Sequence, residues 1–276
     1  MKSLNPLELF LWTFRRSEKD VINLYDYLSD VMRLATNGSM LNFGYWDDSD
    51  SPIQAQNNLC NMFGKMAKLE SGQKIVDVGS GYGSPAINWQ ESYNPIDIIC
   101  VNINQNQLLE KKKKKIDLTN ATATSLPFEN NSVDRVLAFE SAQHFKPLED
   151  FISESYRILK DNGILALAIP VMSEDSSMPL TKLGLLSMTW SSEHYSKNQV
   201  IEALKKDFKI LVQQDIGSKV YEPLSDYYNA NRDQIKQRIA EKYPDYVEKI
   251  LFKSINKMKS VSQSKVIDYL LVTCQK

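Results

Sequence analysis

Histidine and cysteine are scarce in this chain, two and three residues among 276. Cys60, Cys100 and Cys274 are widely spaced and set in apolar surroundings, so they read as reduced core thiols in a cytoplasm and not as a disulfide framework. With so few histidines and no clustered cysteines, neither a zinc site nor any other metal site is expected. An excess of one charge is missing too. The 33 basic and 34 acidic residues leave a net charge of -1, which gives no general attraction to nucleic acid. The one local exception, Lys111 to Lys115, lacks interleaved aromatics and reads as the solvated end of a helix begun near Asn104. Apolar runs are all too short to span a bilayer. The start, Met1-Lys-Ser-Leu-Asn-Pro6, leads into an amphipathic pattern, not a basic then apolar signal segment. A soluble cytoplasmic protein with a small-molecule partner is expected.

What the chain does have is a strand running straight into a glycine-rich turn: Lys74-Ile-Val-Asp-Val-Gly-Ser-Gly-Tyr-Gly83. Gly79, Gly81 and Gly83 permit a tight turn and close approach of a ligand to the backbone. Asp77, near the end of this buried strand, suits a ligand with an amino group or positive charge and would repel a pyrophosphate. A nicotinamide fingerprint would also want an acidic residue about twenty positions on. Here the next strand, Ile98 to Val101, ends at Asn102 instead.

Around this centre, Asn5-Pro6 and Ser17, with Asp20 three places on, mark helix starts. Ser51-Pro52 opens a further helix through about Leu69. Between them lies Met40-Leu-Asn-Phe-Gly-Tyr-Trp-Asp-Asp48, whose Phe43, Tyr45 and Trp46 read either as packing anchors or as a ligand wall. Strands are expected at Ser132–Phe139, Ile164–Ile169, Phe208–Val212 and Val266–Thr273, helices at Leu148–Leu159 and Ser196–Lys206, and a turn at Lys160-Asp-Asn-Gly163. The alternation predicts a doubly wound, mainly parallel seven-stranded α/β sheet with an antiparallel terminal strand. An N-terminal helical cap is expected over residues 1–70 and the sheet domain over 71–276. Two insertions, 171–195 and 221–260, are expected within the latter as a substrate lid or, for the tyrosine-dotted second one, a homo-oligomer contact.

Val-Asp-Val-Gly-Ser-Gly-Tyr-Gly resembles the S-adenosylmethionine (SAM) binding turn of class I methyltransferases. "LNFGYWDD", "LPFENNSVDRVLAFESAQH" and the "LKDNG" turn extend the resemblance to small-molecule members that methylate antibiotic sugars or tocopherols, and to cyclopropane-forming relatives. The resemblance implies SAM as cofactor, with Asp77 near its amino group, Gly79, Ser80, Gly81 and Gly83 near its sugar, and Tyr45 at its methionine end. Asn102, Ile103, Gln107, Thr122, Ala123 and Glu140 would complete the cofactor contacts. Two positions depart from the common pattern, with Asn102 and Thr122 standing where acids are usual; Leu126 and Phe128 are there to hold the adenine ring. The "ESxxH" pattern makes His144 the candidate base for a substrate hydroxyl, since imidazole has a near-neutral pKa and ligands in such sheets bind outside the strand carboxyl ends. Phe43, Trp46, Trp190 and His194 are candidate substrate contacts. No Asp/Asn-Pro-Pro-Tyr/Phe signature of amide or exocyclic-nitrogen methylation is found.

O-methylation of a small metabolite is therefore expected. Two alternatives stand beside it: C-methylation of an alkene or enol, with Phe43, Tyr45, Trp46 and Trp190 stabilising a cation, and a SAM-fold binding protein without catalysis. A nicotinamide oxidoreductase is disfavoured by Asp77.

Overall fold

The computed structural model describes residues 17–47, 49, 51–110, 116–173, 183, 186 and 192–276. The helix expected at Asn5-Pro6, the Lys111 to Lys115 run, Trp190 and most of the 171–195 insertion lie outside them. In chain order, the first elements are α1 (Glu18–Thr36), α2 (Pro52–Met66), β1 (Lys74–Val78), α3 (Ser84–Ser92), β2 (Asp97–Asn102) and α4 (Gln105–Glu110). Then come β3 (Asp117–Asn120), β4 (Val133–Phe139), a 3-10 turn (Ala142–His144), α5 (Leu148–Ile158), β5 (Leu159–Met172), α6 (Lys197–Lys205) and β6 (Lys209–Asp215). The chain ends with a second 3-10 turn (Gly217–Lys219), α7 (Tyr221–Ala230), α8 (Arg232–Ala240), α9 (Asp245–Gln263) and β7 (Ile267–Gln275). Two compact units result. One holds residues 59–171, 193–215 and 269–276; the other holds the described residues of 1–58, 172–192 and 216–268. Residues 221–260, expected as an insertion in the sheet domain, thus fall with the N-terminal helices.

The first unit carries the seven-stranded sheet, in the order β3-β2-β1-β4-β5-β7-β6. β1 is buried from Ile75 to Val78 and apolar there except for Asp77, as suits a strand covered on both faces. It pairs in parallel with β2, which sets Asp77 beside Cys100, and with β4, which sets Asp77 beside Leu137. β6 and β7 are antiparallel, as expected of the last pair. The strand order reverses between β1 and β4, the kind of switch point at which open α/β sheets bind ligands. On α5, Leu148, Phe151, Ile152, Ser155 and Ile158 share one buried stripe. Phe151 and Ile152 join Val76, Val136, Leu165, Leu167, Leu204 and Val272 in the core.

Sequence-based bounds hold to within a few residues where caps are strong. Ser17 and Ser196 each make a capping box, with Asp20 and Gln199 respectively. The "LKDNG" turn is a correction. Residues 159–163 stay within β5, the register with β4 shifting from Val133 opposite Leu159 to Arg135 opposite Ile164. Five steps along β5 thus face two along β4, and the exposed extra residues bulge from the ladder, with Asn162 at φ 63°, without ending the strand.

In the second unit α1, α7, α8 and α9 bury Leu24, Val31, Tyr228, Ile235, Ile239 and Tyr243 together. Arg238 donates from its guanidinium to the carbonyls of Leu34 and Ala35, acceptors that the end of α1 leaves without helical partners. Buried Glu248 accepts from Arg232 at 2.9 and 3.3 Å, while that guanidinium covers the Phe252 ring at 3.5 Å. The long tyrosine-rich segment is therefore helical and packed.

Candidate active site at the strand ends

The glycine turn closes on the end of β1. Gly79 and Ser80 both donate their N–H to the Val101 carbonyl, at 2.8 and 3.1 Å, and Gly83 donates to Ser80 O before heading α3. Gly79 adopts φ +73°, and a Cβ on it would fall 2.4 Å from Ser141 Cβ. Close packing against the exit of β4 therefore demands glycine here, in addition to the backbone turn. Gly79→Ala is expected to cost about 2–3 kcal/mol, from left-handed strain plus overpacking. Urea unfolding would check this, and an unchanged midpoint would refute it.

Asp77 is 1% exposed, and its Oδ2 has no hydrogen-bond partner. Burial pushes its carboxyl up to about 7, and among the described residues no basic side chain holds it down. Burial and the nearby Asp77 also raise the thiols of Cys60 and Cys100, which keeps both inert. An unpaired carboxylate at a strand end, beside a glycine turn, is costly unless a cationic ligand completes it. The amino group of SAM fits that requirement.

Asn102 is 6% exposed and its side chain is committed within the protein. Its Nδ2 donates to Gly81 O at 3.2 Å and Gln107 Oε1 at 2.8 Å, and its Oδ1 accepts from Asn104 N–H. Asn104 Oδ1 in turn accepts from Gln107 N–H at the start of α4. Asn120 donates to the carbonyls of Asn102 and Ile103. These amides brace the loop after β2 against the glycine turn. An acid at position 102 could not have donated to Gly81 O. Thr122 lies within hydrogen-bonding distance of Thr124, 3.2 Å between hydroxyls, with Ala123 buried beside it.

The exit of β4 is built as tightly. Ser141 donates its hydroxyl to Val78 O at 2.6 Å, tying the turn that carries His144 to the residue next to Asp77. His144 N–H donates to Ser141 O, and the imidazole is half-buried. Glu140 takes φ 53°, and its Oε1 accepts from the phenol of fully buried Tyr269 at 2.8 Å. Tyr269 comes from β7, and no local sequence signal marks it. Ser141, Gln143 and Tyr269 are the site residues the sequence reading missed; of these only Ser141 falls on a letter of "ESxxH". Tyr269→Phe is expected to cost about 1–2 kcal/mol, the loss of a buried hydrogen bond to a carboxylate; equal stability to the parent in chemical denaturation would contradict that.

The segment before α6 joins the same unit. Glu193 N–H donates to Gln143 O at 2.9 Å, and the Tyr195 phenol donates to Phe145 O at 2.6 Å. His194, at φ 53°, is half-buried between them in sequence. The structure thus brings Asp77, the glycines, Asn102, Gln107, Glu140 and His144 together at one end of the sheet.

The aromatics of "LNFGYWDD" belong to the helical unit. Trp46 is buried, donates its indole N–H to Phe43 O at 3.0 Å and packs on Tyr227, 5.4 Å between centroids. Phe43 meets Tyr221 edge-on. Tyr45 N–H donates to Ala55 O, and Gly44 at φ +85° leaves room for Ala55, whose Cβ would be 2.7 Å from an added one. Phe43, Trp46 and this glycine are thus held in packing contacts. Among the described residues there is no cluster of metal-ligating side chains, and no helix is long and apolar enough to cross a membrane.

Residues 76–167 match the family model described as "Methyltransferase domain". The chain is 27% identical over 240 residues to erythromycin 3''-O-methyltransferase of Saccharopolyspora erythraea, covering 79% of this chain and 78% of that one. It is 28% identical over 182 residues to sterol 24-C-methyltransferase erg6 of Schizosaccharomyces pombe, covering 61% and 48%. The cyclopropane synthase MmaA2 of Mycobacterium tuberculosis superposes with a TM-score of 0.81 at 18% identity, covering 95% of this chain and 99% of that one. Domain match, sheet order and the acid-and-glycine turn agree, and the chain is a SAM-dependent methyltransferase.

Proposed function

We propose that the protein methylates a hydroxyl of a small metabolite, with His144 as the base. One observation carries this reading. Ser141 bonds to Val78 and packs into the space of Gly79, so the turn bearing an imidazole is clamped to the strand end bearing the unpaired Asp77 carboxylate. When bound, SAM supplies an electrophilic methyl group on a sulfonium. Asp77 would hold its amino group, and the turn from Gly79 to Gly83 its sugar. Asn102, Ile103, Gln107, Thr122, Ala123 and Glu140 line the neighbouring strand ends. His144 would receive the hydroxyl proton as the acceptor oxygen is methylated, a task matched to a group titrating near neutrality. Similarity to an antibiotic O-methyltransferase over four-fifths of the chain supports oxygen as the acceptor.

Carbon methylation is the alternative, and product analysis separates the two, because only oxygen methylation gives a methyl ether or ester. The first test is calorimetric titration with S-adenosylhomocysteine, with NADH as control. Micromolar binding of the first alone is expected. Absence of binding would defeat the assignment of Asp77, and binding without turnover over a panel of hydroxylated acceptors would defeat the O-methyl reading.

A further inference from the structure

Gln143 stands next to His144 on the 3-10 turn and is 4% exposed. Its side-chain nitrogen lies 2.7 Å from the Glu140 carbonyl oxygen and 3.3 Å from His144 Nε2. The shorter contact identifies the two ends of the amide. A carbonyl oxygen only accepts, so the group against it must be the NH2; turned over, the amide would press oxygen on oxygen. One N–H is used there, and the other is available to His144. An amide nitrogen is no acceptor, so the imidazole Nε2 must be the acceptor and carry no proton. Gln143 Oε1 is buried without a hydrogen-bond partner, so no donor rewards the opposite orientation.

We propose that Gln143 is a positioning residue that holds neutral His144 as the Nδ1–H tautomer and keeps the basic lone pair on Nε2. Free neutral histidine prefers the proton on Nε2, and His144 Nδ1 is buried and makes no hydrogen bond, so a proton there is uncompensated and the donor at Nε2 has to outweigh both terms. At 3.3 Å this contact is long for a hydrogen bond and yields readily to a hydroxyl approaching closer. The inference rests on the reading of His144 as base, to which it adds the identity of the accepting nitrogen.

Only two histidines are present, so the test can be spectroscopic. The full-length protein, labelled with nitrogen-15 in histidine, is observed at about pH 9, where imidazole is neutral. Ring signals absent from His144→Gln belong to His144. For the parent, Nε2 is expected to be pyridine-like and Nδ1 pyrrole-like. Gln143→Met removes the donor and is expected to raise the Nε2–H share about fivefold. Gln143→Glu, nearly the same shape but able only to accept when ionised, should move the proton to Nε2 as well. A parent protein protonated on Nε2, or two variants that keep the parent tautomer, would overturn the proposal. The readout needs neither cofactor nor acceptor, so its failure is distinct from a failure of the methyl-transfer reading.

Discussion

His144→Ala is expected to bind S-adenosylhomocysteine within about twofold of the parent and to turn over about 10²- to 10⁴-fold more slowly on a hydroxyl acceptor. The reason is positional. His144 stands at the exit of β4, and its backbone is fixed by the bond to Ser141, whose side chain is anchored on Val78. Removing the imidazole leaves those anchors in place, so cofactor affinity should survive while proton acceptance is lost. Turnover equal to the parent would remove the base from the mechanism. Loss of S-adenosylhomocysteine binding would instead make His144 part of the cofactor site.

The second large effect concerns Asp77. Burial raises its carboxyl from 3.8 to about 7, so between those values the folded protein keeps a proton that the unfolded chain has released. This contribution to stability is fully present below about pH 4, is lost as pH rises through about 7, and is flat above. A shift of that size corresponds to about 4 kcal/mol. Asp77→Asn, of the same shape and always neutral, should therefore gain stability relative to the parent progressively from pH 4 to pH 7. The same variant should bind S-adenosylhomocysteine about 100-fold less well near pH 8, since an amide cannot pair with an ammonium group as a carboxylate does. Urea unfolding of both proteins across that range, with calorimetry at its upper end, checks both. A stability difference that does not vary with pH would mean that Asp77 is already paired; unchanged affinity would mean that it does not meet the ligand's amino group.

Much of this site is legible in the sequence because it is made of neighbours. A strand acid, a glycine turn and a helix start lie within ten residues, and "ESxxH" lies within five. Such patterns report backbone geometry that is decided locally. The amides that replace the usual acids are less transparent. In the sequence Asn102 is a cofactor contact that departs from the usual acid, and in the fold its amide group braces Gly81 and Gln107. Trp46 offers a ligand wall in the sequence, and its indole is taken up by Phe43 and Tyr227.

By itself, the sequence determined the sheet class and the central turn and marked Asp77 and His144 as candidate ionisable side chains, because apolar periodicity, glycine and capping residues act over a few positions. Only the tertiary structure decided why Gly79 cannot bear a side chain, what holds Glu140, and which side chain stands against the His144 imidazole. Those answers depend on Ser141, Tyr269 and Gln143 meeting groups brought close by strand order and packing. Pairing of the phenol in β7 with Glu140 spans 129 positions of chain, a separation at which no local pattern carries information.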